Sequence, residues 1–67
     1  MTSEEALHKA KALAEREGWL FREPARVQRV AHHRWEVISN AQGLGAKVRV
    51  VIDARSGEVL EKGYIPR

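Results

Sequence analysis

The stretch "VRVVIDARSGEVLEKG", Val48 to Gly63, decides the fold. Val48, Val50 and Ile52 recur with a period of two, which in extended chain puts them on one face of a strand. The next residues, "DARSGE" from Asp53 to Glu58, concentrate acids, a hydroxyl and a glycine. A calcium loop needs oxygen ligands at alternate positions, yet two residues after Asp53 stands the cation Arg55, and the glycine falls at the wrong place. A hairpin turn accounts for the cluster better. Asp53 accepts from the following backbone N–H groups, Ser56 sits in the bend, and Gly57 takes a positive φ at low steric cost. "EVLEKGYI" (Glu58 to Ile65) is then the returning strand.

Reading outward, "ARVQRVAH" (Ala25 to His32), "RWEVISN" (Arg34 to Asn40) and "AKVRVVID" (Ala46 to Asp53) are further stretches rich in β-branched and aromatic residues. Trp35 and Val37 share a face, which with Val48, Val50 and Ile52 makes the core side. Val27 and Val30, three apart, cannot both point inward unless a bulge intervenes. The connections, at His32 and His33, "AQGLG" and "ARSG", are short and therefore make antiparallel hairpins.

Ahead of the strands the period is helical. Thr2 and Glu5 are spaced as a capping box, Ala6, Leu7, Ala10, Leu13 and Ala14 form an apolar stripe, and Gly18 is a C-terminal stop. Glu5 with Lys9, and Lys11 with Glu15, stand at ion-pair spacing on the wet side. The spacing predicts a helix over Ser3 to Glu17, then a connector, "WLFREP", that tucks Trp19, Leu20 or Phe21 against the core edge. The fold class is α+β: one N-terminal helix packed on a four-stranded antiparallel β-meander, a single domain over residues 1–67.

Composition narrows the function classes. A chain of 67 residues holds one small core and little room for an enclosed substrate cavity. It has no cysteine, so disulfides and thiolate metal sites are excluded. No apolar run approaches the roughly 20 residues of a membrane span, and "MTSEEALHKA" does not read as a secretion signal; the expectation is a soluble cytoplasmic protein with no membrane partner. The net charge is +3, with the basic excess after residue 21, and eight of the twelve basic residues are Arg. Such a balance permits an anionic partner without requiring one.

No motif for chemistry emerges. His32 and His33 point to opposite faces in extended chain and only His8 remains as a third imidazole, so they read as turn residues rather than zinc ligands. "GLGAK" (Gly43 to Lys47) lacks the spacing of a phosphate loop, and a strand follows it. Ser3, Ser39 and Ser56 have no recognisable base partner, and no two acids share a cleft. The expectation is a non-enzyme with no catalytic residue, metal or cofactor.

The outer sheet face is more informative. Arg34, Glu36, Ile38, Lys47, Arg49 and Val51, with Asp53, point away from the core and mix charge with apolar groups. This candidate binding face suits a protein or peptide partner, or self-association into a homo-oligomer, with strand addition at an exposed edge as the companion route. The alternative is a nucleic-acid binder using Arg26, Arg34, Lys47 and Arg49. Such proteins stack bases on exposed aromatics, and the strand aromatics are Trp35, on the core side, and Tyr64.

The segments Trp35-Glu36-Val37 and Val50-Val51-Ile52-Asp53-Ala54-Arg55-Ser56-Gly57-Glu58-Val59, behind an Ala-rich helix ending in Gly, resemble the PepSY domain family. Its pattern is an aromatic-Glu-Val strand followed by a strand ending in V-x-V-D-A-x-T-G-E-V. The resemblance covers nearly the whole chain and implies a helix on an antiparallel sheet. It also implies a non-catalytic regulatory module whose partner is a protein or peptide, a peptidase among the candidates.

Overall fold

A computed structural model describes residues 1–66; Arg67, the last residue of the expected domain, lies outside the described residues. Helix α1 (Ser3–Glu17) is followed by strands β1 (Arg26–Val30), β2 (Arg34–Ile38), β3 (Lys47–Asp53) and β4 (Val59–Ile65). The strands form one antiparallel sheet in the order β1-β2-β3-β4, a meander with the helix on one face.

The helix starts and stops on local chemistry. Thr2 accepts from the Glu5 backbone N–H at 3.1 Å and Glu5 returns the bond to the Thr2 N–H at 2.7 Å, so two donors left over at the helix start are satisfied. At the other end Gly18 adopts φ 77°, and the Trp19 N–H donates back to the Ala14 carbonyl at 2.8 Å. Glu5 is thereby committed to its cap, and Lys11 pairs with Glu23 of the connector at 3.5 Å. The i,i+4 pairs expected along the wet side do not form; the connector and the cap compete for the same side chains.

Ala6, Ala10, Leu13 and Ala14 lie buried against Val37, Val48, Val50 and Ile52. Three of the four helical contacts are methyl groups, so the helix sits close to the sheet and covers β1 to β3. Leu7, Trp19, Phe21, Val27, Trp35 and Val59 seal the rim half-buried. Of the connector, Trp19 and Phe21 join the core edge, while Leu20 stays 60 % exposed.

The sheet register settles the first strand. Val27 pairs with Val37 and faces the core, whereas Val30 pairs with Arg34 on the outer face. No bulge is needed, because Arg29 takes the inward position opposite Trp35 and lays its guanidinium over the indole, 5.1 Å from the ring centroid. The irregularity lies in β4 instead: Val51 pairs with Glu61 but Ile52 with Val59, so Leu60 is an extra residue in a bulge.

The β3–β4 turn is built as its residues predict. The Asp53 carboxylate accepts from the N–H groups of Arg55 at 2.8 Å and Ser56 at 3.0 Å, Ser56 Oγ accepts from the Glu58 N–H, and Gly57 stands at φ 78°. In the β1–β2 connection His32 and His33 both lie in the left-handed region, at φ 63° and 59°. The end of α1 is tied to β4 by Lys62 and Glu17 at 2.7 Å and by Trp19 stacked on Tyr64, with centroids 5.9 Å apart. No described helix is long and apolar enough to cross a membrane.

Candidate functional site

Register places all six candidate residues on the outer face. Arg34 stands opposite Asp53, Glu36 opposite Val51, Ile38 opposite Arg49, and Lys47 opposite Ile65. At its centre the face satisfies itself. Glu36 accepts from Gln28 Nε2 at 2.7 Å and from Arg49 Nε at 2.9 Å, and Arg49 Nη1 reaches Glu61 at 3.0 Å, a polar ladder running across all four strands. The Gln28 hydrogen bond, followed by that from Arg49, holds the Glu36 carboxyl below the usual carboxylate range, and Glu61 followed by Glu36 pushes the Arg49 guanidinium up.

This ladder changes the meaning of the apolar residues beneath it. Val51, flanked in register by Glu36 and Glu61, is only 3 % exposed, and Ile38 is half-buried. The reading of Ile38 and Val51 as an open apolar patch is therefore corrected: both point outward, but neighbouring side chains cover them. Lys47 is turned away as well. Its ammonium donates to the Gly43 carbonyl at 2.8 Å and to the Asn40 carbonyl. On this face Arg26 and Arg34 remain as cations without a carboxylate partner among the described residues.

Exposed apolar surface gathers elsewhere, at the end of the sheet where β3 begins and β4 finishes. An open groove of about 360 Å³ is lined by Leu20, Arg22, Asn40, Leu44, Gly45, Ala46 and Tyr64. Leu44 is 96 % exposed, and Ile65 projects nearby on the outer side of the last strand. Most of these residues belong to the connector after α1 and to the loop between β2 and β3, segments whose side chains follow no period. The available signal was "GLG": a large apolar residue between two glycines, in a segment with no pattern to bury it.

The loop that carries Leu44 is held firmly. Asn40, 8 % exposed and at φ 50°, donates its side-chain amide to the carbonyls of Leu44 at 3.1 Å and Ala46 at 3.3 Å. Its backbone N–H reaches the Arg22 carbonyl at 2.6 Å, and the Ala41 N–H reaches that of Pro24 at 2.8 Å, so loop and connector are stitched together. Buried Ser39 closes the base by exchanging bonds with the Val48 backbone. Gly43 passes so close to the Asn40 amide that a Cβ there would overlap its oxygen.

The strand aromatics have partners of their own. Trp35 carries Arg29 on its ring and donates its indole N–H to the Met1 carbonyl at 3.2 Å, while Tyr64 is stacked on Trp19. No group of three or more His, Cys, Asp or Glu converges among the described residues. His32 and His33 are exposed on their turn.

Together these features define a small α+β domain, a helix on an antiparallel meander, with a self-paired polar face and, at one end, a mixed groove that carries the exposed side chains of Leu20, Leu44 and Tyr64. No protein-family model, curated protein or solved structure matches the chain.

Proposed function

We propose that the chain is a non-catalytic module that binds a protein or peptide at the groove between the connector and the β2–β3 loop. The observation that carries this reading is Leu44, almost fully exposed on a loop that spends the Asn40 amide and the Lys47 ammonium on its own carbonyls. A rigid apolar tip loses little conformational entropy on docking, and interfaces rely on a few such anchors. Leu20 and Tyr64 supply further apolar surface around the same hollow. The resemblance to the PepSY family supports the same class and adds peptidases as candidate partners.

The outer sheet face contributes less than its sequence suggests, since Glu36, Arg49 and Val51 are occupied with one another. The test is a selection from a displayed peptide library with the wild-type chain and with Leu20→Ser/Leu44→Ser as parallel baits. Both residues are exposed, so the variant retains the core. Peptides recovered by the wild type and lost with the variant support the reading. Peptides retained by the variant but lost on Arg34→Ser would move the site to the outer face and overturn it.

A further inference from the structure

Resting on the groove as the binding site, we infer that its occupant is an acidic peptide segment in which a large apolar side chain stands next to a carboxylate. The groove has one charged lining residue, Arg22, and no acidic one. Arg22 is exposed and has no carboxylate at ion-pair distance among the described residues, whereas the neighbouring Glu23 is already engaged by Lys11. The backbone of Arg22 is fixed, because its carbonyl accepts from the Asn40 N–H. A guanidinium on an anchored backbone, in a groove shared with the exposed side chains of Leu20, Leu44 and Tyr64, offers a fork-shaped carboxylate receptor next to apolar anchors.

The same charge argument discriminates among occupants. A second copy docked about a two-fold axis through the groove would bring two Arg22 groups together with no acid between them, a like-charge juxtaposition. An anionic membrane surface is recognised by clusters of cations flanking apolar residues, and here one cation lines a concave hollow. An acidic segment that also carries a large apolar side chain satisfies the guanidinium and the exposed Leu20, Leu44 and Tyr64 at once.

Two pools of fluorescein-labelled hexapeptides provide the probe, one with Leu followed by Glu at the centre and the other with Leu followed by Gln, the remaining positions being randomised among uncharged residues. The Glu pool should bind about tenfold more tightly, the gain of one charge-assisted hydrogen-bonded pair. Arg22→Gln should reduce the Glu pool to the level of the Gln pool, and Leu44→Ser should weaken both. Equal binding of the two pools, lost with Leu44→Ser, would overturn the carboxylate inference while leaving the groove as a binding site. Absence of binding by either pool would overturn both. A dimer mass by light scattering that reverts with Leu44→Ser would assign the groove to a second copy. Co-sedimentation with phosphatidylserine vesicles that depends on Leu44 would assign it to a membrane. Either of these results also overturns the inference.

Discussion

The β2–β3 loop yields a thermodynamic cycle whose outcome the geometry dictates. Gly43→Ala places a Cβ where the Asn40 side-chain oxygen now sits, so the amide must leave and its bonds to the Leu44 and Ala46 carbonyls are lost. At about 0.5–1.5 kcal/mol net per neutral hydrogen bond, the cost is about 1–3 kcal/mol. Asn40→Gly removes the same two bonds while keeping a residue that tolerates φ 50°, so it should cost a similar amount. In the double variant nothing remains for the new Cβ to strike. Gly43→Ala should then be nearly neutral, or stabilising by about 0.4–1 kcal/mol through the unfolded chain. The two substitutions are therefore coupled by about 1–3 kcal/mol, against a total stability of about 3–10 kcal/mol for a domain of this length. Urea denaturation of the four proteins, with slopes checked for constancy, measures the cycle. Additive losses would refute the claim that Gly43 is required by the Asn40 amide.

The other predictions concern the turn, acid stability and nucleic acid. Replacing His32 and His33 by Asn and Gly, which suit two successive left-handed positions, should stabilise the fold by about 1–2 kcal/mol; an unchanged or lower Tm would show that the turn is not strained. The carboxyls of Glu5, Glu36 and Asp53 are held below the ordinary range, chiefly by the Thr2 backbone, Gln28, and the Ser56 then Arg55 backbone respectively. The unfolded chain thus takes up protons first, and this stabilisation, complete above a pH of about 5, is lost as the pH falls through about 4 and below. A urea midpoint that stays flat from pH 6 to pH 3 would contradict this. Labelled single-stranded and duplex oligonucleotides at about 50 mM salt should show no saturable anisotropy change, because Lys47 and Arg49 are engaged, Tyr64 is stacked on Trp19 and Trp35 carries Arg29 on its ring; saturable binding would restore the nucleic-acid reading.

Much of the architecture was written locally. The box at Thr2 and Glu5, Gly18, and the turn from Asp53 to Gly57 are contacts between residues a few positions apart, so their spacing is visible in the sequence. The alternation of Val48, Val50 and Ile52 records which face is buried. The remainder was set by tertiary competition. Arg29 points inward because Trp35 offers it a ring, which no period reveals. Lys11 finds Glu23 rather than Glu15 because the connector turns back beside the helix. Leu60 bulges where β4 meets the end of β3, and Val51 is covered by a ladder drawn from four strands. For the site, register correctly grouped Arg34, Glu36, Ile38, Lys47, Arg49 and Val51, but alternation does not record whether neighbouring side chains consume one another. The groove drew on the connector and a loop, where no alternation exists.

The bulge at Leu60 bears on what the free margin of β4 can accept. A chain that displays Leu20, Leu44 and Ile65 at one end, beside a sheet margin with open backbone groups, has the ingredients for end-to-end polymerisation. The additional residue breaks the even spacing of donors and acceptors along that margin, and Lys62, turned toward Glu17, sets a cation just beyond the break. A neighbouring strand laid against β4 would lose register after a few residues, which keeps pairing along this margin short. The bulge thereby sets the length over which a partner strand could pair along β4.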